Sequence, residues 1–250
     1  VAVYIGFLCF QTHKRIAVWE NDETLWSDVI ESYPDDYFAY MKRGSYRVKN
    51  GQLDAALADL NQSISIFQDD YYAFNNRGMI FFSIGEYQLA KQDFTKAINL
   101  DSTLYEAVLN RGLIYLNTGK YDSALVDFQK SIQLAPNNEL NYLNLGLLYE
   151  RMKLPAQSFS SFKKVLQLNP QNHQAHYYRG LFYFKQEQYQ EALEDFTNAI
   201  KWNQNSPNYF YWKAKTLRQL NQNEQAKITL REAVRLGYNL TPKEHAEFIE

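Results

Sequence analysis

Residues 105–138 read YEAVLNRGLIYLNTGKYDSALVDFQKSIQLAPNN. Within this stretch Gly112, Tyr115, Gly119, Tyr121, Ala124, Phe128 and Pro136 punctuate two apolar-periodic segments. The preceding copy shows what the spacing means. Phe74, Gly78 and Phe81 stand at i, i+4 and i+7, on one helical face. Gly85 and Glu86 interrupt the pattern, and Tyr87, Ala90, Phe94 and Ala97 resume it as the face of a second helix.

Working outward, the same marks recur at a fixed step of 34 residues. Glycine occupies 44, 78, 112, 146 and 180, and Ala214 extends the series. In the same register come Ala56, Ala90, Ala124, Ser158, Ala192 and Ala226, then Leu60, Phe94, Phe128, Phe162, Phe196 and Leu230. Six copies without an insertion predict one helical hairpin per copy. The glycine, a poor helix former, lets the two helices of a hairpin approach closely, and the large residue fills the space beside it. A lone hairpin cannot bury both of its sides. Stacked neighbours complete the core, so the expected product is an all-α, curved solenoid.

The period and the order Gly, Tyr, Ala, Phe, Ala resemble the tetratricopeptide repeat family, over residues 37–236. The repeats would run 37–70, 71–104, 105–138, 139–172, 173–206 and 207–240. The resemblance implies a right-handed superhelix whose concave groove is lined by the first helix of each repeat. Residues 1–36 would hold an apolar segment and a capping half repeat, with Trp19, Trp26 and Val29 as its core. Residues 241–250 would form a closing helix, with Thr241 and Pro242 supplying its start.

A second periodicity concerns charge. The residue before each glycine-register position is Arg43, Arg77, Arg111, Leu145, Arg179 and Lys213. The residue before the large core residue is Asp59, Asp93, Asp127, Ser161, Asp195 and Thr229. Every repeat with the arginine has the aspartate, always 16 residues on. This predicts four ion pairs tying the two helices of a hairpin together, since the guanidinium fork matches a carboxylate through two hydrogen bonds. Repeat four departs furthest, with Lys153 where a turn glycine is usual, Pro155 opening its second helix, and Ser158 in place of alanine. Local stability is expected to be lowest over 139–168.

For function, the resemblance directs attention to the first helices. One position reads Lys42, Asn76, Asn110, Asn144, Tyr178 and Trp212. Asn76, Asn110 and Asn144 resemble the asparagine ladders with which some superhelices of this family grip an extended peptide, because an amide offers both donor and acceptor. The later repeats turn aromatic and basic, with Tyr177, Tyr178, Lys185, Tyr211, Trp212, Lys215 and Arg218, the composition of an interface hot spot. The carboxylate clamp of chaperone-tail adaptors does not fit, because Met41, Asn75 and Leu109 stand where its first lysine belongs. The expected partner is a protein or peptide.

Other classes are disfavoured. A net charge of −2 and a pI near 6.1 lack the basic footprint of nucleic-acid binding. The single cysteine, Cys9, excludes an internal disulfide. His173 and His176 have a metal-compatible spacing, but His176 holds a core register matched by Phe74, Tyr142 and Phe210, so no metal or cofactor is expected. No phosphate-cradling loop or nucleophile elbow occurs, and no catalytic residue is assigned. The N-terminal edge, VAVYIGFLCF followed by HKR at 13–15, resembles the junction of polytopic membrane proteins that carry a C-terminal array of such repeats, O-mannosyltransferase-type proteins and bacterial relatives among them. That resemblance implies repeats facing the lumen or periplasm. It offers an alternative function as the substrate-recognition part of a membrane-embedded glycosyltransferase-like enzyme, against a cytoplasmic interaction module.

Overall fold

The computed structural model describes residue 16 and residues 18–241. Among them lie thirteen helices and no strand. An opening helix α1 (Asp22–Ser32) precedes six pairs. These are α2 (Tyr37–Lys49) with α3 (Leu53–Ile66), α4 (Tyr71–Ser83) with α5 (Tyr87–Leu100), and α6 (Tyr105–Asn117) with α7 (Tyr121–Leu134). The others are α8 (Glu139–Arg151) with α9 (Pro155–Leu168), α10 (His173–Lys185) with α11 (Tyr189–Trp202), and α12 (Pro207–Gln219) with α13 (Asn223–Arg235). The chain divides into two compact units between Leu134 and Ala135. Each is an all-α helical repeat solenoid, the first built on α1–α7 and the second on α8–α13.

Local chemistry sets the helix ends. Asp36, Asp70, Asn138 and Asn172 cap first helices by accepting from backbone N–H groups that have no partner inside the helix. Every first helix ends in the same six-to-one bond, such as Lys120 N–H to the Tyr115 carbonyl at 2.8 Å. That ending needs a left-handed residue, supplied by Gly51, Gly85 and Gly119 in the first unit, with φ of +73°, +83° and +73°. In the second unit Lys153, Glu187 and Asn221 adopt the same conformation at φ near +60° without being glycine. Pro155 sits at the start of α9, where its missing N–H costs no hydrogen bond.

Packing follows the register. A Cβ added to Gly78, Gly112, Gly146 or Gly180 would meet the ring of Phe94, Phe128, Phe162 or Phe196 at 2.6–2.9 Å. Those four rings are fully buried. The second helix of one hairpin and the first helix of the next share a core, as in the first unit, where Phe74, Ala97, Ile98, Leu104, Ala107 and Val108 cluster. In the second unit, Leu143, Phe162, Val165, Leu166 and Ala175 do the same.

The four predicted ion pairs form, each within its own hairpin and each bidentate. Arg43, Arg77, Arg111 and Arg179 reach Asp59, Asp93, Asp127 and Asp195 through two N–H···O bonds of 2.7–2.9 Å. Asp195 also meets His176 Nδ1 at 2.8 Å, while His176 Nε2 lies 3.0 Å from the Pro170 carbonyl. The first hairpin adds Arg47, which binds Asp59 and also Glu23 of α1, so the opening helix is tied to the stack electrostatically. The Glu23 hydrogen bond holds the Arg47 guanidinium above its usual range.

One expectation about the opening segment fails. Trp26 and Val29 are half-buried on α1, and the Trp26 ring meets Phe38 edge-on at 5.7 Å. Trp19, however, lies before the helix and is 66% exposed, so it is not a core residue. The apolar run 1–10, and the closing helix expected after Thr241, lie outside the described residues.

Candidate functional site

The first helices carry the residues singled out for partner binding, and the fold presents them unequally. In the first unit, Asn76 on α4 donates from Nδ2 to Ser45 Oγ at 2.6 Å. Asn110 on α6 donates to Asn75 Oδ1 at 3.4 Å. In the second unit, Asn144 on α8 donates to the Leu140 carbonyl, one turn back, at 2.9 Å. All three are half-buried. Each therefore spends one amide hydrogen within the chain, and none of their Oδ1 atoms is held by a described residue. An amide oxygen fixed in this way, on a half-open face, is an acceptor for a peptide N–H.

The aromatic residues of the second unit pack against one another between hairpins. Tyr178 stacks on Phe162 with centroids 4.9 Å apart and planes at 9°. Tyr177 lies 4.9 Å from the Tyr209 ring, and Trp212 meets Phe184 edge-on at 5.2 Å. Burial pushes the Tyr177 phenol up to about 12, with the neighbouring Tyr178 and Tyr209 adding to it, and raises Tyr178 as well. Tyr177, Tyr178 and Trp212 nonetheless remain half-exposed. Lys215 Nζ lies 5.4 Å over the Trp212 ring, a cation–π contact on that partly open surface. Lys185 is exposed, and Arg218 is half-buried. Tyr211 is the correction. It is 3% exposed and stacks on Tyr238 at 4.2 Å, so its ring offers no surface to a partner.

Sequence reasoning missed Lys213, and the signal was present. It stands in the arginine register opposite Thr229, so its ammonium lacks the aspartate that Arg43, Arg77, Arg111 and Arg179 each meet. Burial holds it below the usual lysine range. His173 Nδ1 lies 2.7 Å from Tyr209 Oη. With His176 engaged by Asp195, the two histidines face different partners, and among the described residues no three metal-ligating side chains converge.

Comparison with known proteins gives the geometry its family. The tetratricopeptide repeat model matches residues 71–104 and 105–138, and a second model of the same repeat matches 141–172. This is a tetratricopeptide-repeat protein. A model for subunit 3 of the anaphase-promoting complex, or cyclosome, also matches residues 160–233 of this repeat protein. No match was found among curated protein sequences. Among solved structures, PilF of Pseudomonas aeruginosa is 21% identical, with 85% of this chain and 96% of that chain covered and a TM-score of 0.78. A chain of the Cut9–Hcn1 hetero-tetramer of the anaphase-promoting complex is 17% identical over 90% of this chain and 44% of its own, with a TM-score of 0.75. YrrB, a tetratricopeptide protein with an unusual peptide-binding site, is 21% identical over 75% of this chain and 97% of its own, with a TM-score of 0.60. At these identities the likenesses show the fold alone. It is the fold of a protein–protein interaction scaffold. The resemblance of the N-terminal edge to polytopic membrane proteins gains no support from these matches. Among the described residues no helix is long and apolar enough to cross a membrane.

Proposed function

We propose that this tetratricopeptide-repeat chain holds a peptide segment of a partner protein on the first-helix faces of its units. The observation that carries the reading is the state of the three asparagines. Asn76, Asn110 and Asn144 are each oriented by a bond through Nδ2, with an amide oxygen left for an incoming backbone N–H. Backbone contacts of this kind give affinity that is indifferent to the peptide's side chains. In the second unit the half-open Tyr177, Tyr178 and Trp212, with Lys185, Lys215 and Arg218, supply selectivity for a segment combining an aromatic with an acidic residue. That YrrB, a protein of the same fold, has a peptide-binding site supports the class of ligand, though not its sequence.

A phage-displayed library of random peptides tests the reading. Selection on the wild-type chain should enrich a family of peptides. Asn76→Ala, Asn110→Ala and Asn144→Ala combined should lose them broadly, and Tyr178→Ala with Lys215→Glu should change which sequences survive. Enrichment of identical peptides at equal strength by all three proteins would remove the first-helix faces from the function.

A further inference from the structure

Repeat four lacks both members of the interhelical ion pair, and the structure shows what that leaves. Leu145 stands where four of the other five hairpins carry an arginine fork, and Ser161 where those four carry its aspartate. Leu145 is shorter than arginine, and the Ser161 hydroxyl turns back to the Gln157 carbonyl at 2.9 Å rather than across to α8. Between α8 and α9 a cleft of about 560 Å³ opens, lined by Tyr142, Leu145 and Tyr149 of α8 and, among others, by Ser161, Lys163 and Lys164 of α9. No carboxylate lines it.

The two lysines are peculiar to this hairpin. At the same register the other repeats read Asn61–Gln62, Thr95–Lys96, Gln129–Lys130, Thr197–Asn198 and Arg231–Glu232. Only in repeat four do two ammonium groups adjoin, and in that repeat the internal carboxylate is gone. Lys163 is exposed, and Lys164 is half-buried with its Nζ 5.8 Å over the Tyr142 ring. Tyr142, Leu145 and Tyr149 also lie on a different flank of α8 from Asn144. The cleft is thus separate from the first-helix face.

We propose that this cleft docks an acidic peptide of a partner protein, with an aspartate or glutamate side chain entering between Lys163 and Lys164. Charge complementarity selects the carboxylate, since a cationic cleft without an internal anion is open to an external one. The two tyrosine rings and Leu145 select a peptide over a bare anion, because they match the apolar stem of a side chain and its backbone, which an inorganic ion would leave uncovered. Exposed ammonium groups pair weakly and are screened by salt, so the interaction is weak and falls as ionic strength rises.

Fluorescence anisotropy of a labelled hexaglutamate peptide with the full chain tests this. The wild type should bind at low salt and release the peptide at high salt. Lys163→Glu with Lys164→Glu should weaken binding on the order of tenfold. Leu145→Arg with Ser161→Asp rebuilds the pair of the neighbouring hairpins, fills the cleft and should abolish binding while the thermal midpoint is kept or raised. Lys130→Glu, at the register of Lys164 in repeat three, should leave it unchanged, which separates the cleft from a general effect of charge. The proposal is overturned by failure of the wild type to bind, by binding that survives the refilled cleft or falls equally with Lys130→Glu, or by displacement of the peptide by equimolar inorganic phosphate.

Discussion

Arg111 and Asp127 face each other across the α6–α7 hairpin through two parallel hydrogen bonds of 2.8 Å, with the Asp127 side chain only 4% exposed. The bond to Asp127 holds the Arg111 guanidinium above its usual range. A buried pair of this kind is costly to break from one side, because the surviving charge is left without a partner. Arg111→Leu should therefore destabilise the chain by about 3 kcal/mol. Adding Asp127→Ser, which copies the Leu145 and Ser161 of repeat four, should restore part of the loss rather than add to it. Urea unfolding of the two singles and the double measures the coupling, and strictly additive losses would refute a shared pair.

The glycine beside that arginine makes a second, steric prediction. A Cβ on Gly112 would lie 2.6 Å from Phe128 Cε1, inside any tolerable contact. Forcing the ring aside costs about 1–3 kcal/mol, against about 1 kcal/mol gained from alanine's helix propensity. Gly112→Ala should thus be net destabilising. Repeat six already carries the compensated combination, Ala214 with Leu230. Phe128→Leu added to Gly112→Ala should therefore cost less than the two single losses combined, by about 1 kcal/mol in a double-mutant cycle.

The features legible in the sequence were those that every hairpin must satisfy in the same way. The close approach at Gly78 or Gly112 and the Arg–Asp pairs are contacts within one hairpin, so their residue types recur at a fixed step and can be read by position. The misread positions were taken one at a time. Tyr211 looks like an interface residue by type, yet four of its five register partners, Met41, Asn75, Leu109 and Leu143, are under 8% exposed, and Tyr177 alone is half-exposed. The 34-residue column leaned toward burial where the side-chain chemistry pointed outward. Trp19 was assigned to a helix whose first residue is Asp22, and a three-residue error in a boundary turns a core position into an exposed one. The bonds made by Asn76, Asn110 and Asn144 depend on rotamers, which periodicity does not encode.

The same column logic exposes strain in the second unit. Gly51, Gly85 and Gly119 are succeeded by Lys153, Glu187 and Asn221, all left-handed. A side chain in that conformation costs about 1–2 kcal/mol, offset by about 0.5–1 kcal/mol for the greater freedom glycine has in the unfolded chain. Lys153→Gly and Glu187→Gly should each stabilise by about 0.5–1 kcal/mol, and Asn221→Gly by less, because asparagine tolerates the conformation. Repeat four should respond most visibly. Its Ser158 hydroxyl is buried with no hydrogen-bond partner, which marks the hairpin as the weak point of its unit. Hydrogen exchange over 139–168 should be fastest in the wild type and slowed by Lys153→Gly, and uniform protection across the unit would contradict that ranking.

The buried phenols of the second unit set its behaviour in alkali. Burial, before any charge effect, pushes both Tyr177 and Tyr209 from the usual value of 10.0 up to about 12. A group whose pKa is higher folded than unfolded keeps its full contribution to stability below the unfolded value. Above about pH 10 the unfolded chain loses these protons while the folded chain retains them, so stability falls until the folded phenols ionise near pH 12. The urea midpoint should therefore decline between about pH 10 and about pH 12, beyond what the exposed tyrosines produce. Tyr177→Phe, which cannot ionise, should flatten that decline. Tyr209→Phe is a poorer probe, because its hydroxyl also meets His173 Nδ1. Absorbance at the phenolate band should show the same two rings titrating late in the native protein and normally in urea. If Tyr177→Phe leaves the slope of stability against pH unaltered, the Tyr177 ring is solvated in the native state, and its place between Tyr178 and Tyr209 is wrong.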